Sequence, residues 1–104
     1  MAYKVKLEKK VLKWLKKLPE NQTDSILEII KMLANRGHEL GYPYSKNLKV
    51  DSVKLKELRC SKYGNRVYYF FHNSEVYICL NAGNKDSQKK DIQEARQKAL
   101  TLGG

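Results

Sequence analysis

Three strand-like segments follow one another closely in the second half of the chain, and they constrain its fold more than any other feature. Val, Leu, Ile, Tyr and Phe are concentrated in residues 53–60, 66–71 and 75–82. Between these segments we expect turns at the short stretches 62–65 and 72–74. Connections of this length leave no room for a crossover helix, so the three strands should pair as antiparallel hairpins.

The first half of the chain predicts one strand followed by two helices. Residues 3–7 alternate apolar side chains with lysine, which is the period of a strand with one buried face. Apolar residues then recur at helical spacing from residue 8 until Pro19, which ends the first helix. A second apolar stripe predicts a helix over 20–35, and Gly37 is well placed to end it.

The remaining segments complete a small α+β fold. Residues 38–52 contain Gly and Pro and lack a sustained period, so they are expected to form a loop, while a closing helix is expected from about Ser87. The order of elements favours a single domain over 1–104, in which an N-terminal helical hairpin packs on a small antiparallel sheet and a C-terminal helix follows. The second face of the sheet would then be available for function.

The charge of the chain indicates a polyanionic partner. Lys and Arg number 21 against 11 acidic residues, and the formal charge of +10 is spread as +6 over residues 1–50 and +4 over 51–104. A positive field of this kind attracts nucleic acid before any specific contact forms. The sequence also shows no membrane-spanning run and no signal peptide, so a cytoplasmic location and no membrane partner are expected.

The two cysteines, Cys60 and Cys79, carry little information about function. They fall in predicted strands without the spacing of metal ligands, so we interpret them as buried free thiols and expect neither a metal nor another cofactor.

Three ordered blocks of sequence resemble the RelE/HigB-type toxins of the RelE/ParE toxin–antitoxin superfamily. They are SKNL at 45–48, then KELR at 56–59 with RVYYF at 66–70, and finally GNKDSQKKDI at 83–92 followed by Glu94 and Ala95. The resemblance spans nearly the whole chain, and the blocks together are more specific than any one alone.

This resemblance implies a RelE-like toxin that enters the ribosomal A site and cuts messenger RNA. It also implies a cognate antitoxin that holds the toxin inactive. In the family the ribose 2′-hydroxyl attacks the adjacent phosphate, which leaves a cyclic phosphate and a free 5′-hydroxyl without a metal ion. The oligomeric state is open.

Such chemistry needs a proton acceptor, cations for the phosphorane and a donor for the leaving oxygen. Glu57 is the candidate general base, and the alternative is a surface pair with Arg59 or a lysine. Arg59, on the same strand face, and Arg66, at the start of the next strand, are candidate phosphate ligands because guanidinium groups bind phosphate in two-pronged contacts. Both could instead form ion pairs. Lys85 could add a further cation, or could be an ordinary solvated lysine.

Four further residues are candidate RNA contacts. Tyr68 alternates with Arg66 and could stack on a base, although core packing explains a strand tyrosine equally well. Lys46, Lys54 and Lys56 could contact phosphates or could simply be solvated.

One segment departs from the family pattern. Several relatives use a histidine near the carboxyl end, where this chain has Asn84, Lys85 and Asp86. A ParE-like inhibitor of DNA gyrase and a non-catalytic RNA-binding module therefore stand as alternatives to the nuclease.

Overall fold

The computed structural model describes residues 3–73 and 76–102, in which helices pack on both faces of a five-stranded sheet. In chain order the elements are β1 Lys4–Leu7, α1 Lys9–Lys17, α2 Glu20–Arg36, β2 Ser45–Asn47, β3 Lys56–Cys60, β4 Asn65–Asn73, β5 Val76–Gly83 and α3 Gln88–Thr101. Two short 3-10 helices, Gly37–Glu39 and Lys85–Ser87, follow α2 and β5. The α+β class expected from the sequence is confirmed. The predicted start of the last strand, Glu75, lies outside the described residues.

The sheet is mixed rather than wholly antiparallel. Its strand order is β1-β5-β4-β3-β2, and the pairings among β2, β3, β4 and β5 are antiparallel as predicted. The exception is β1, which pairs with β5 in parallel, Val5 opposite Tyr77. The expectation of an antiparallel sheet is therefore wrong at this edge, because the two helices carry the chain from β1 to β2 at the opposite edge, so no hairpin sets the direction of β1 against β5.

The predicted loop 38–52 was wrong in part, because it contains the edge strand β2. Ser45 pairs with Leu58 in β3, and its hydroxyl shares a buried hydrogen bond of 2.6 Å with the Tyr69 hydroxyl. The next predicted strand, 53–60, begins only at Lys56, since the chain turns at 51–52 before it enters β3.

The two N-terminal helices begin and end where their sequence signals lie. Leu18 adopts an extended backbone (ψ 150°), as a residue before proline prefers, and Pro19 separates α1 from α2. Gly37 ends α2 with φ 55°, and a side chain there would overlap the ring of Tyr3. Both the backbone angle and the close packing therefore require glycine.

Each face of the sheet has its own apolar core. Helices α1 and α2 cover one face with a cluster that includes Val11, Leu15, Ile26, Leu33, Leu58, Val67, Tyr69, Tyr77 and Cys79. On the other face, α3 packs over a second cluster made by Val53, Leu55, Tyr68, Phe70, Ile78, Leu80, Ala95 and Ala99. The expectation that the second face is free for function was therefore too broad, because α3 leaves only part of it open.

Both cysteines are free and buried, as predicted. Burial raises the pKa of the Cys79 thiol to about 12, which keeps it protonated and unreactive at neutral pH. Within the part of the chain that the structure describes, no helix is both long and apolar enough to cross a membrane.

The start of α3 packs so closely on β5 that Gly83 should not tolerate a side chain. A Cβ there would overlap the Asp91 carboxylate and the Ser87 hydroxyl, which form a hydrogen bond of 2.5 Å. We expect Gly83→Ala to lower the free energy of unfolding by roughly 1–3 kcal/mol, measured by urea denaturation.

Gly41→Ala is the matched control, because no heavy atom lies within 4 Å of a Cβ at Gly41. This variant should stay within about 1 kcal/mol of the parent. Equal stabilities for the two variants would contradict the packing argument.

Candidate functional site

Two rows of residues cross the face of the sheet near the start of α3. In the first row, Arg59 of β3 lies opposite Arg66 of β4, which lies opposite Gly83 of β5. The second row runs from Glu57 to Tyr68 and on to Asn81 in the same three strands. Directly paired residues project to the same face, so the sheet brings Glu57, Arg59, Arg66 and Tyr68 together.

The centre of this site is a buried ion pair. Arg66 Nε donates to Glu57 Oε1 at 2.7 Å, and the two side chains are only 7% and 1% exposed. Arg66 Nη1 also donates to the backbone oxygen of Gly64 at 3.0 Å, in the turn that joins β3 to β4. These contacts hold the Arg66 guanidinium in one orientation beneath the surface.

Arg59 differs from Arg66 in being open to solvent. Its Nε lies 3.6 Å from Glu57 Oε1, its side chain is 29% exposed, and its Nε has no hydrogen-bond partner among the described residues. One carboxylate faces two guanidinium groups, so this cluster carries a net charge of +1. Arg59 is therefore the member of the cluster that can reach an anion from solvent.

Tyr68 lies beneath the surface of the site. Its side chain is fully buried, and its hydroxyl has no hydrogen-bond partner within the described part of the chain. Burial raises the pKa of Tyr68 far above its ordinary value, and the negative charges of Glu57 and Asp91 add to the effect. The hydroxyl therefore stays protonated, and stacking of an RNA base on the ring stays a prediction that this buried position does not favour.

The three candidate lysines of this region divide between the faces of the sheet. Lys46 is exposed and lies opposite Glu57 in the register of β2 and β3, so it shares the face of the cluster. Lys56 alternates to the other face beside Asn47 and Tyr69, while Lys54 is exposed in the segment before β3. Only Lys46 therefore extends the face of the arginines.

Lys85 is exposed in the 3-10 helix that follows β5. Asn84 caps this helix by accepting hydrogen bonds from the backbone nitrogens of Asp86 and Ser87 at 2.9 and 3.3 Å. Because Gly83 lies opposite Arg66, this cap places Lys85 two residues beyond the arginine row, at the same end of the sheet.

Sequence reasoning missed the residues that α3 contributes. Gln88 Nε2 lies 3.4 Å from Glu57 Oε2, so the first residue of α3 reaches the ion pair. Asn81 Nδ2 donates to the Asp91 backbone oxygen at 3.0 Å and to Glu94 Oε2 at 3.1 Å. A single asparagine within the apolar run of β5 was the signal that could have indicated a buried polar contact.

Glu94 links this interior to the surface of α1. Its Oε2 also accepts a hydrogen bond of 2.5 Å from Lys10, which lowers the pKa of the carboxyl group. Over residues 3–73 and 76–102, no group of three or more His, Cys, Asp or Glu side chains is arranged to hold a metal ion.

The buried pair predicts strong coupling between Glu57 and Arg66. Glu57→Met leaves the buried Arg66 guanidinium without its carboxylate and should cost about 3–5 kcal/mol of stability. Arg66→Met leaves Glu57 facing Arg59 and should cost less. In a double-mutant cycle measured by urea denaturation, the double variant should lose less stability than the two single variants lose together. The difference, which is the coupling energy, should exceed about 1 kcal/mol. The exposed Lys10–Glu94 pair is the control and should couple weakly. Additive costs at Glu57 and Arg66 would show that the pair is not coupled.

A family comparison places the chain among known proteins. The model of the family described as Phage derived protein Gp49-like (DUF891) matches residues 13–101. The comparison with curated proteins finds no match.

Solved structures of RelE proteins share the fold. A chain of the archaeal RelE–RelB complex from Pyrococcus horikoshii OT3 matches with a TM-score of 0.66 at 24% identity, over 82% of this chain and 97% of that chain. The free E. coli toxin RelE with two arginine-to-alanine substitutions matches with a TM-score of 0.71 at 16% identity, over 94% and 98%. The isolated E. coli RelE toxin matches with a TM-score of 0.66 at 12% identity, over 88% and 97%.

These matches confirm the fold expected from the motif blocks, including the helical hairpin and the closing helix. The family match covers most of the chain, so this protein belongs to the phage-derived Gp49-like family, and its fold is that of the RelE toxins.

Proposed function

We propose that this chain is the toxin of a bacterial type II toxin–antitoxin pair, and that it cleaves messenger RNA on the ribosome without a metal ion. The observation that carries this proposal is the partly exposed Arg59 guanidinium beside the buried Glu57–Arg66 pair. The fold shared with RelE toxins and the charge of +10 support the same conclusion. The partners would be a cognate antitoxin, the ribosome and messenger RNA, in the cytoplasm, and the chain would act as one toxin domain.

Arg59 is the proposed contact to the reacting phosphate. A guanidinium group offers two parallel donors to phosphate oxygens, and a prepositioned cation stabilises the negative charge that builds up on the phosphorane. The Arg59 side chain is 29% exposed, although its Nε is buried and has no hydrogen-bond partner among the described residues, whereas Arg66 is 7% exposed and its Nε donates to Glu57. In this arrangement Arg66 contributes its charge from beneath the surface.

Glu57 remains the candidate general base. Its carboxylate is buried and contacts Arg66 on one oxygen and Gln88 on the other, so in this arrangement it also positions the two arginines. Proton transfer from the ribose 2′-hydroxyl to Glu57 would require the substrate to reach that carboxylate, and this role stays a prediction. Lys85 is the proposed second cation at the same end of the sheet.

The remaining proposed contacts bind RNA on either side of the reacting phosphate. Lys46 extends the face of the arginines. Lys54, in the segment before β3, and Lys56, on the opposite face of the sheet, would contact RNA backbone that continues past the start of β3. Tyr68 would contact a base only if RNA binding exposed its ring, because its side chain is fully buried.

Removal of Arg59 should reduce cleavage much more than removal of a remote charge. We expect Arg59→Ala to lower the single-turnover cleavage rate on programmed ribosomes on the order of 10²-fold, as loss of a prepositioned transition-state donor does. Lys13→Ala removes one positive charge from the exposed surface of α1 and should change the rate little. Circular dichroism should first show that both variants fold.

Equal rates for the two variants would reject Arg59 as a catalytic residue. If the parent protein makes no translation-dependent cuts and instead inhibits DNA supercoiling by gyrase, the ParE-like alternative holds. Binding to RNA without either activity would leave the non-catalytic binding module.

Binding to ribosomes should weaken steeply with salt. Each phosphate that the lysines and arginines neutralise releases counterions, so the logarithm of the affinity should fall linearly with the logarithm of salt concentration. A titration series between about 50 and 200 mM salt measures the slope. A flat dependence would contradict an interface built on phosphate contacts.

A further inference from the structure

The arginine row of the candidate site continues to a tyrosine at the edge of the sheet. Strand β2 pairs with β3 from Ser45, which lies opposite Leu58. One residue earlier, the backbone oxygen of Tyr44 accepts a hydrogen bond of 2.8 Å from the backbone nitrogen of Arg59. This contact extends the register by one residue, and residues opposed in this way have Cα atoms about 4.5–5.5 Å apart. Tyr44 therefore lies next to Arg59, at the outer end of the arginine row.

Strand alternation assigns the side chain of Tyr44 to the face of the candidate site. The next residue, Ser45, points to the other face, where its hydroxyl shares a hydrogen bond with the buried Tyr69 hydroxyl in the core beneath α1 and α2. Successive side chains of a strand point to opposite faces, so Tyr44 and Lys46 both project to the face of Arg59. Helix α3 packs mainly on β4 and β5, and the edge formed by β2 lies beside this helix.

Tyr44 combines a fixed backbone with an accessible ring. The backbone nitrogens of Tyr44 and Ser45 both donate to the oxygen of Gly41, at 3.0 and 3.1 Å, which closes the turn before β2. Tyr44 is 36% exposed, and among the described residues its side chain has neither a hydrogen-bond partner nor a contact with another aromatic ring. Tyr68, on the same face, is fully buried. Tyr44 is therefore the better placed of the two tyrosines to receive a planar group from solvent.

We propose that Tyr44 stacks on the base of a nucleotide whose phosphate is bound by Arg59. Bases of single-stranded RNA stack on aromatic side chains, whereas guanidinium groups bind phosphate oxygens. The tyrosine and the arginine, side by side in one row, match these two parts of a nucleotide. Lys46 is exposed on the same face and supplies a cation for a neighbouring phosphate.

This inference rests on the proposed function for RNA as the ligand, and it adds the residue that places the base. Because every base has a π face, the contact tolerates any base and orients the strand without reading its sequence. Tyr44 would thus hold the nucleotide in position while Arg59 contacts the phosphate.

An uncleavable RNA tests the stacking directly. The probe is a short single-stranded oligoadenylate with 2′-O-methyl groups, which lack the attacking hydroxyl, added at low salt to the full chain with ¹³C-labelled tyrosine rings. The ring signals of Tyr44, assigned by their loss in Tyr44→Phe, should move upfield because a stacked base shields them. An abasic strand of the same length and a polyglutamate peptide should not produce this upfield shift, since neither carries a base.

Two matched variants locate the contact. Tyr44→Ala should weaken binding of the oligoadenylate at least about fivefold by calorimetry, the scale of one lost stacking contact, while Tyr44→Phe should bind as the parent does. Tyr42→Ala makes the same change in the same turn, at a residue that is 83% exposed, and should also bind as the parent does. Neither tyrosine belongs to an apolar core, so the variants should fold, as circular dichroism can show.

Several outcomes would overturn the proposal. They are the absence of an upfield shift at Tyr44, equal affinities for Tyr44→Ala and Tyr42→Ala, and a loss of affinity in Tyr44→Phe as large as in Tyr44→Ala. An equal upfield shift with the abasic strand or with polyglutamate would also overturn it, because phosphate or an acidic protein segment would then explain the effect.

Cleavage on programmed ribosomes is measured separately, so the two proposals can fail independently. A parent protein that makes no cuts but stacks the oligoadenylate on Tyr44 would keep this inference and lose the nuclease. A parent protein that cuts messenger RNA, with no shift at Tyr44 and no loss of affinity in Tyr44→Ala, would keep the nuclease and lose this inference.

Discussion

The arrangement of the site depends on the contact between Glu57 and Arg66. Arg59 and Arg66 lie directly opposite each other in adjacent strands, where two like charges would destabilise the pairing. Glu57, two residues before Arg59, supplies the negative charge that both arginines face, and it is hydrogen-bonded to only one of them. This asymmetry fixes Arg66 in the interior and leaves Arg59 open to solvent.

The start of α3 supplies polar partners to the two rows of the candidate site. Buried charges and amides need partners, and the start of α3 supplies some of them through Gln88 to Glu57 and through the Asp91 backbone to Asn81. The apolar part of α3 comes later, at Ala95 and Ala99, where it covers the second core. The helix is therefore polar over the rows of the candidate site and apolar beyond them.

Local patterns in the sequence predicted the helices and the central strands, but they could not predict how distant segments meet. Apolar spacing within α1 and α2 is a property of each segment, and it located both helices. Strand β2 has no such pattern, since Ser45–Asn47 is polar and is held by its pairing with β3 and by the Tyr69 hydroxyl. The parallel pairing of β1 with β5 likewise joins segments some 70 residues apart.

For the site, strand alternation correctly placed Glu57 and Arg59 on one face, and it could not reveal which of the two would be buried. That outcome depends on α3, which is distant in sequence and covers the carboxylate through Gln88. The sequence likewise could not reveal that the Tyr68 hydroxyl would be buried without a hydrogen-bond partner among the described residues.

Two kinds of electrostatic interaction coexist in this protein, and they respond differently to salt. The charge of +10 is spread over the surface, where salt screens interactions beyond about 8 Å at physiological ionic strength. The Glu57–Arg66 pair is buried, so salt screens it much less. The long-range attraction of a polyanion and the local arrangement of the binding site are therefore separable. High ionic strength can remove the attraction, while the buried pair keeps Arg59 in place.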